Sequence, residues 1–208
     1  MPQEFGMYPT LSVEDNIRYF GYLHGLKHGA TEKQVQYLIK ALHLWEHRKK
    51  KYKALSGGMK RRVGLAVALV HNPEFLIIDE PTAGVDPEER SSIREFIMNL
   101  GKTKTILFST HIIEDIEQIS DQIIILKKGR IKFQGELSAL VEKFEGHFYE
   151  IPFSEKIPKK TRVIKRFKSK LGERIIIYSD EVTTTEIDTS IPVVATLENC
   201  FLVLNGEE

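Results

Sequence analysis

The sequence predicts an α/β fold with a mostly parallel sheet, followed by a smaller β-rich part. Helix-like and strand-like patterns alternate between about residues 73 and 134, as in proteins that pack helices on a parallel sheet. Two helical patterns fill the first 45 residues, and short β-prone segments dominate from about residue 146. We therefore expect a main domain over 1–145, with a helical subdomain at about 8–72 and the rest of its core at 73–145, and an accessory domain over 146–208.

The composition is that of an ordinary globular protein. The 208 residues include 30 Lys and Arg against 29 Asp and Glu, 41% hydrophobic residues and one cysteine. The ample apolar share excludes a disordered chain, and the net charge of +1 argues against a nucleic-acid partner. No apolar stretch approaches the roughly 18 residues that span a bilayer, so a membrane role would be by contact. The single Cys200 cannot form an internal disulfide, which indicates a reduced cytoplasm.

Two capped helices are predicted near the start of the chain. Ser12, with Asp15 three residues later, is typical of a helix N-terminus, and apolar residues then recur at helical spacing. Thr31 and Gln34 repeat the pattern and predict the start of a second helix.

Helices and strands are predicted to alternate after the second helix. The apolar run from Phe75 to Ile78 fits a strand buried on both faces of a parallel sheet. Asp86 followed by Pro87 is typical of a helix start, and Gly101 of a helix end. The other predicted elements are a helix over 59–70, a strand over 105–108, a helix over 112–119, a hairpin over 122–134 and β segments at 147–151, 162–167 and 174–178.

Asp79 and Glu80 directly follow the predicted buried strand. Two adjacent carboxylates are unfavourable there unless positive charge lies nearby, and α/β proteins bind ligands at the carboxyl ends of parallel strands. Asp79 suits a Mg²⁺ held through water beside the phosphates of a nucleotide, and Glu80 could orient or deprotonate an attacking water. A purely structural strand end is the alternative.

Ser56, Gly57 and Gly58 stand at the N-terminus of a predicted helix, where free amides and the helix dipole favour an anion such as phosphate. A glycine turn capped by Ser56 is the alternative. His111 follows the next predicted strand, so it should lie at the same sheet edge as the two carboxylates, although one such histidine is usually a surface residue. Together these features predict a phosphate-binding edge.

Four motifs, in this order, resemble the ATP-binding subunit of an ABC transporter. They are Leu55-Ser56-Gly57-Gly58-Met59, Phe75 to Pro81, Gly84-Val85-Asp86-Pro87 and Ser109-Thr110-His111. The resemblance implies a P-loop NTPase-like fold over roughly residues 1 to 145, ATP hydrolysis, and ATP and Mg²⁺ as cofactors. It further implies a second nucleotide-binding subunit, in a homo- or heterodimer, a transmembrane permease partner, and a cytoplasmic position on the inner face of the cell membrane. The segment Thr196 to Phe201 is similar to tails on exporter subunits, which favours export.

The resemblance implies catalytic and metal-binding roles for four residues. Glu80 matches the catalytic glutamate, and Asp79 matches the aspartate on the Mg²⁺ side. His111 matches the switch histidine on the γ-phosphate, and Gln3 matches the Q-loop glutamine that reads Mg²⁺ and the attacking water.

The resemblance also implies contacts across a dimer. Ser56, Gly57 and Gly58 match the signature that touches the γ-phosphate of a nucleotide bound mainly by the opposite subunit. Asp86 matches the loop that links the two sites.

The sequence departs from the family pattern at the phosphate cradle. No Gly-x-x-x-x-Gly-Lys-Ser/Thr occurs in the 208 residues, and Gly101-Lys102-Thr103 follows a helix and precedes a strand, the reverse of the required order. Three interpretations remain: the carboxyl-terminal part of an ATPase subunit whose opening segment lies outside this sequence, a catalytically incompetent module that donates its signature to an intact subunit, or a soluble ABC ATPase outside transport. Intact Glu80 and His111 favour the first over the second, and the near-neutral charge disfavours the third.

Overall fold

The computed structural model describes residues 6–155, 157, 160–170, 172–180 and 190–206. The chain divides into two compact units, Met1–Ile119 and Ser120–Glu208. The boundary expected after residue 145 falls inside the second unit, and the functional division at that point stays a prediction. Among the described residues, no helix has both the length and the apolar character that crossing a bilayer would require.

Two helices of the first unit begin at the serine caps expected from the sequence. Helix α1 spans Val13–Leu23, and the Ser12 hydroxyl accepts a hydrogen bond from the Asp15 amide at 3.1 Å. The helix that begins at Gly57 is capped in the same way by Ser56, whose hydroxyl accepts from a main-chain amide at 3.2 Å. A cap of this kind satisfies one of the main-chain amides left free at a helix start. The cap predicted at Ser12 is confirmed, and Ser56 makes the cap that was considered as the alternative for its motif.

The second predicted cap is wrong. Helix α2 spans His28–Ala41, so Thr31 lies inside its first turn. Thr31 is fully buried, and its hydroxyl donates to the Lys27 carbonyl at 3.0 Å. A side-chain carbon added to Gly21 of α1 would come within 2.7 Å of the Thr31 methyl group. Close packing between α1 and α2 therefore explains why this threonine faces the interior.

Helix α3 spans Gly57–Leu69 and packs with α1 and α2 in the core of the first unit. Two short 3-10 helices, Trp45–His47 and Tyr52–Ala54, precede it. Fully buried side chains from the three α-helices form this core, among them Ile17, Leu38, Ile39 and Leu65.

Strands β1 (Phe75–Asp79) and β2 (Thr105–Ser109) form a parallel pair connected by helix α4 (Pro87–Gly101). The pair is in register along its whole length, so that the last residues of the two strands lie opposite each other. Helix α5 (Ile113–Ile119) follows β2. The predicted strand–helix–strand–helix order is confirmed.

The β1–β2 pair is buried on one face only, contrary to the expectation for β1. Leu76 and Ile78 lie in the core, whereas Phe75 is 52% exposed and Ile77 54% exposed. Leu107 of β2 is likewise 50% exposed. The described helices of this unit pack against the face that carries Leu76 and Ile78, which leaves the face with Phe75 and Ile77 exposed.

The second unit contains two antiparallel sheets. Its hairpin has the expected turn at Lys128-Gly129, and all three predicted β segments are strands. Two helices not predicted from the sequence complete this unit. The elements are β3 (Gln122–Lys127), β4 (Arg130–Glu136), α6 (Leu137–Phe144), β5 (Phe148–Pro152), β6 (Thr161–Ser169), β7 (Gly172–Ser179), β8 (Ile191–Val193) and α7 (Leu197–Asn205), and the larger sheet has the order β6-β7-β5-β8.

Candidate functional site

The parallel pairing of β1 and β2 brings both strand ends to one edge. Asp79 lies opposite Ser109 in the register, and the Ser109 hydroxyl donates to the Asp79 carboxylate. The Glu80 amide donates to the Ser109 carbonyl at 3.0 Å. Main-chain and side-chain hydrogen bonds therefore hold the two carboxyl ends together.

Glu80 and His111, predicted to share this edge, are in direct contact. His111 Nδ1 lies 2.8 Å from Glu80 Oε1. The imidazole is 75% exposed and the Glu80 side chain 20% exposed. The second carboxylate oxygen, Glu80 Oε2, is buried and has no hydrogen-bond partner among the residues that the structure describes. A buried carboxylate oxygen without a partner is unfavourable, so this atom is well placed to accept a hydrogen bond from a small polar ligand.

The backbone at Glu80 adds a second unusual feature. Its φ is +50°, in the left-handed region that a residue with a side chain adopts at a cost of about 1–2 kcal/mol. Such strain persists only where the surrounding structure enforces it, and it concentrates at functional sites.

The N-terminus of α3 lies against the segment that contains Asp86. A side-chain carbon on Gly57 would lie 3.6 Å from the Gly84 carbonyl oxygen, and one on Gly58 would lie 1.5 Å from a carboxylate oxygen of Glu89. Glycine at position 58 therefore permits this close approach. Asp86 is the N-cap residue of α4 through its main chain alone, since its side chain makes no capping hydrogen bond.

Arg61 is a further residue of this region, which the sequence reasoning missed. It lies on the buried side of α3. Burial lowers the pKa of its guanidinium, and the negative charges of Glu80 and Asp79 oppose that shift. The positive charge of Arg61 therefore interacts with the two carboxylates at the end of β1. Its sequence signal is an arginine three residues after Gly58, on the buried face of the helix.

A second group of polar side chains lies buried beyond the same strand ends. Asp115 of α5 is fully buried, and its carboxylate accepts hydrogen bonds from the Thr82 hydroxyl and, at 3.4 Å, from the Thr110 hydroxyl. Arg94 Nε of α4 lies 3.0 Å from the same carboxylate. We call Thr82, Arg94, Thr110 and Asp115 the Asp115 cluster. The sequence reasoning missed it because its members come from four separate segments.

Asp79 and Glu80 bring carboxylate oxygens, which Mg²⁺ accepts as ligands, to this edge. Among the described residues, no three His, Cys, Asp or Glu side chains form a cluster that could hold a metal. Mg²⁺ usually keeps several waters and takes one or two protein carboxylates together with substrate phosphates. Asp79 is exposed and directly precedes Glu80 in the chain, and Glu80 Oε2 has no hydrogen-bond partner among the described residues. Gln3, the other residue expected near the metal, lies outside the described residues.

Comparison with known proteins supports the family expected from the motifs. The family model described as ABC transporter matches residues 1–83. The linearmycin resistance ATP-binding protein LnrL of Bacillus subtilis (strain 168) is 37% identical over 147 residues, which cover 70% of this chain and 47% of that protein. The Nod factor export ATP-binding protein I of Burkholderia lata is 37% identical over 143 residues, which cover 68% of this chain and 47% of that protein. The chain thus spans about half the length of the curated relatives it matches.

A solved structure extends the match to three dimensions. The structure titled as that of an ATP binding subunit of an ABC transporter matches with a TM-score of 0.61 at 30% identity, covering 69% of this chain and 60% of that one. The α/β fold class expected from the sequence is thereby confirmed. The motif order, the geometry of the strand ends and these matches together show that the chain belongs to the family of ABC transporter ATP-binding proteins.

Proposed function

We propose that this chain acts in an ATP-hydrolysing subunit of an ABC transporter. One observation carries the proposal: Glu80 and His111 are 2.8 Å apart at the ends of two parallel strands, and the second oxygen of Glu80 is buried without a partner among the described residues. A general base needs such a free oxygen within reach of the water it activates. The sequence contains no P-loop motif, so the proposal takes the phosphate cradle to be supplied from outside these 208 residues.

In this proposal Glu80 polarises the water that attacks the γ-phosphate, and His111 contacts that phosphate from the end of β2. Asp79, with Gln3, holds Mg²⁺ partly through water. When bound, Mg²⁺ neutralises charge on the phosphates. The His111 contact keeps the Glu80 carboxylate in a fixed orientation, which leaves its other oxygen directed to the water.

The signature residues are proposed to act across a dimer. Ser56, Gly57 and Gly58 present a capped helix start, whose free amides favour the γ-phosphate of a nucleotide in a second subunit. Asp86 lies in the segment packed against these glycines, so it would transmit movement between the two sites. The signature residues and the segment with Asp86 would form the dimer contact in a homodimer and in a heterodimer alike.

We further propose that closure of the dimer drives a separate transmembrane permease, with this subunit on the inner face of the membrane. Export is the favoured direction, since two matched relatives carry Nod factor export or linearmycin resistance in their names. We expect no nucleic-acid partner, because the net charge is +1 and so gives no general attraction to phosphate backbones.

The decisive experiment is Glu80→Gln in the transporter assembled with the complete subunit. We expect ATP hydrolysis to fall by about 10² to 10⁴-fold, while bound ATP is retained in a closed dimer. Glu95→Gln, at an exposed position of α4, is the matched control and should hydrolyse ATP normally. Normal hydrolysis by Glu80→Gln would refute the proposed role of Glu80.

The absence of a P-loop motif supports one second candidate, a module that donates its signature without catalysing hydrolysis. This chain would then stimulate an intact homologous subunit when the two are mixed. Ser56→Arg should abolish the stimulation, because it blocks the helix start. If the variant stimulates as well as the unaltered chain, this candidate is wrong.

A further inference from the structure

Asp115 connects the two segments that carry Glu80 and His111. Thr82, which donates to the Asp115 carboxylate, lies two residues after Glu80. Thr110, which donates to the same carboxylate oxygen at 3.4 Å, directly precedes His111. The buried Asp115 side chain therefore contacts both segments, the one that follows β1 and the one that follows β2.

The Asp115 cluster is closed towards solvent and paired in charge. Thr82 and Asp115 are fully buried, and the Arg94 side chain is 7% exposed. Arg94 also lies 3.3 Å from the exposed carboxylate of Glu114. A buried carboxylate that is both ion-paired and hydrogen-bonded has few alternative orientations, so it can fix the groups that it contacts.

Apart from the Glu80–His111 contact itself, the other hydrogen bonds between the two segments among the described residues join Asp79 or Glu80 to Ser109. The Glu80 amide bonds to Ser109, and the Ile112 amide donates to the Thr110 hydroxyl at 3.0 Å. Neither bond joins the chain after Glu80 to the chain around His111. The strained φ of +50° at Glu80 also requires external support.

We infer that Asp115 is a positioning residue, which holds Glu80 and His111 in their 2.8 Å contact through Thr82 and Thr110. The structural part of this inference stands on the geometry alone. Its consequence for hydrolysis rests on the proposed function, so each part has its own experiment.

The first experiment measures the His111–Glu80 contact in the 208-residue chain by nitrogen NMR of the His111 imidazole. Glu80→Ala, which lacks the carboxylate, defines the Nδ1 chemical shift without the contact. Asp115→Asn keeps the shape of the side chain but removes the charge that pairs with Arg94. We expect its Nδ1 signal to move at least halfway from the unaltered value to the Glu80→Ala value.

Two further variants make this result specific. Glu150→Gln is the matched control, because it removes the carboxylate beside another buried arginine, Arg174, in the second unit. Its His111 signal should not move. Thr82→Val removes only the hydroxyl contact with Asp115 and should move the signal in the same direction by less; it decides the question if Asp115→Asn fails to fold. An unmoved signal in a folded Asp115→Asn, or in Thr82→Val where the former is unfolded, would overturn the inference.

The second experiment measures ATP hydrolysis by the assembled transporter. Misplacement of Glu80 and His111 should lower kcat by about tenfold or more in Asp115→Asn. The KM for ATP should change less, because Ser56, Gly57 and Gly58 are not among the described partners of Asp115. Glu150→Gln should match the unaltered protein. If the unaltered transporter hydrolyses ATP and Asp115→Asn has a normal kcat, the positioning role in catalysis is refuted while the proposed function stands. If the unaltered transporter shows no hydrolysis, the proposed function fails, and the NMR result alone decides whether Asp115 holds the contact.

Discussion

Two polar groups follow the ends of β1 and β2, and they differ in solvent exposure, in charge pairing and in backbone strain. The Glu80–His111 pair is open, with the imidazole 75% exposed, one carboxylate oxygen without a partner among the described residues, and φ of +50° at Glu80. The Asp115 cluster is closed, with Asp115 fully buried between the Thr82 and Thr110 hydroxyls and the Arg94 guanidinium.

The difference separates two tasks. A ligand site must keep hydrogen-bonding capacity free, and it accepts strain to do so. A supporting site must pair its buried charges, because an unpaired buried charge would destabilise the fold. The Glu80–His111 pair, which is open to solvent, is therefore the candidate for chemistry, and the Asp115 cluster, which is buried and paired in charge, is the candidate for rigidity.

The largest expected effect on stability comes from breaking the closed cluster. Asp115→Ala removes the buried carboxylate and leaves the Arg94 guanidinium with the exposed Glu114 carboxylate beside it, which should lower the free energy of unfolding by about 2–3 kcal/mol. His111→Ala breaks the open pair and should cost less than about 1 kcal/mol, because an exposed pair contributes little. Urea denaturation followed by circular dichroism measures both. Equal losses in the two variants would contradict the contrast between the groups.

A smaller effect, of opposite sign, is expected at the open pair. Glu80→Gly should be more stable than Glu80→Ala by about 1 kcal/mol, because glycine adopts a φ of +50° without strain, and this gain exceeds its larger unfolded-state entropy. Both variants lack the carboxylate, so the comparison isolates the backbone. If the alanine variant proves the more stable of the two, the backbone at this position is not strained.

The smallest effect concerns His71, which has no carboxylate partner among the residues that the structure describes. His71 stacks on His24 with ring centroids 4.0 Å apart, whereas His111 faces Glu80. Burial lowers the pKa of His71 below its ordinary value of 6.5, and the charges of His24 and Lys104 add to the shift. His71 therefore binds a proton more readily in the unfolded chain than in the folded one. Its contribution to the free energy of unfolding is complete above about pH 6.5 and declines as the pH falls below that value.

His71→Gln should make the decline in unfolding free energy between about pH 7.5 and about pH 5.5 shallower than in the unaltered chain. Urea midpoints across that range measure the slope. His28→Gln, at an exposed position, serves as the control and should leave the slope unchanged. An unchanged slope in His71→Gln would show that this imidazole does not titrate differently in the folded state.

Features set by local chemistry were predictable from the sequence. Ser12 and Ser56 cap helices through amides only three residues away, so their patterns are read directly. Asp79, Glu80 and His111 were expected at one edge because strand order alone brings carboxyl ends together.

Features set by contacts between distant segments were not predictable. Thr31 resembles a cap, but packing against Gly21 of another helix places it inside α2. Arg61 and the Asp115 cluster were not predicted, because the residues that interact there are far apart in the sequence. Thr82 and Asp115, for example, are separated by 33 residues. Exposure of Phe75 depends on which elements cover the sheet, which the strand's own residues do not reveal.

The in-register pairing of two five-residue strands has a consequence for how this protein can vary. Side chains alternate between faces, so inserting or deleting one residue within β1 or β2 would turn the interior side chains outward. The connection through α4 has no such parity, and whole helical turns could be gained or lost there. Length polymorphism among natural variants should therefore concentrate between the strands and spare the strands themselves.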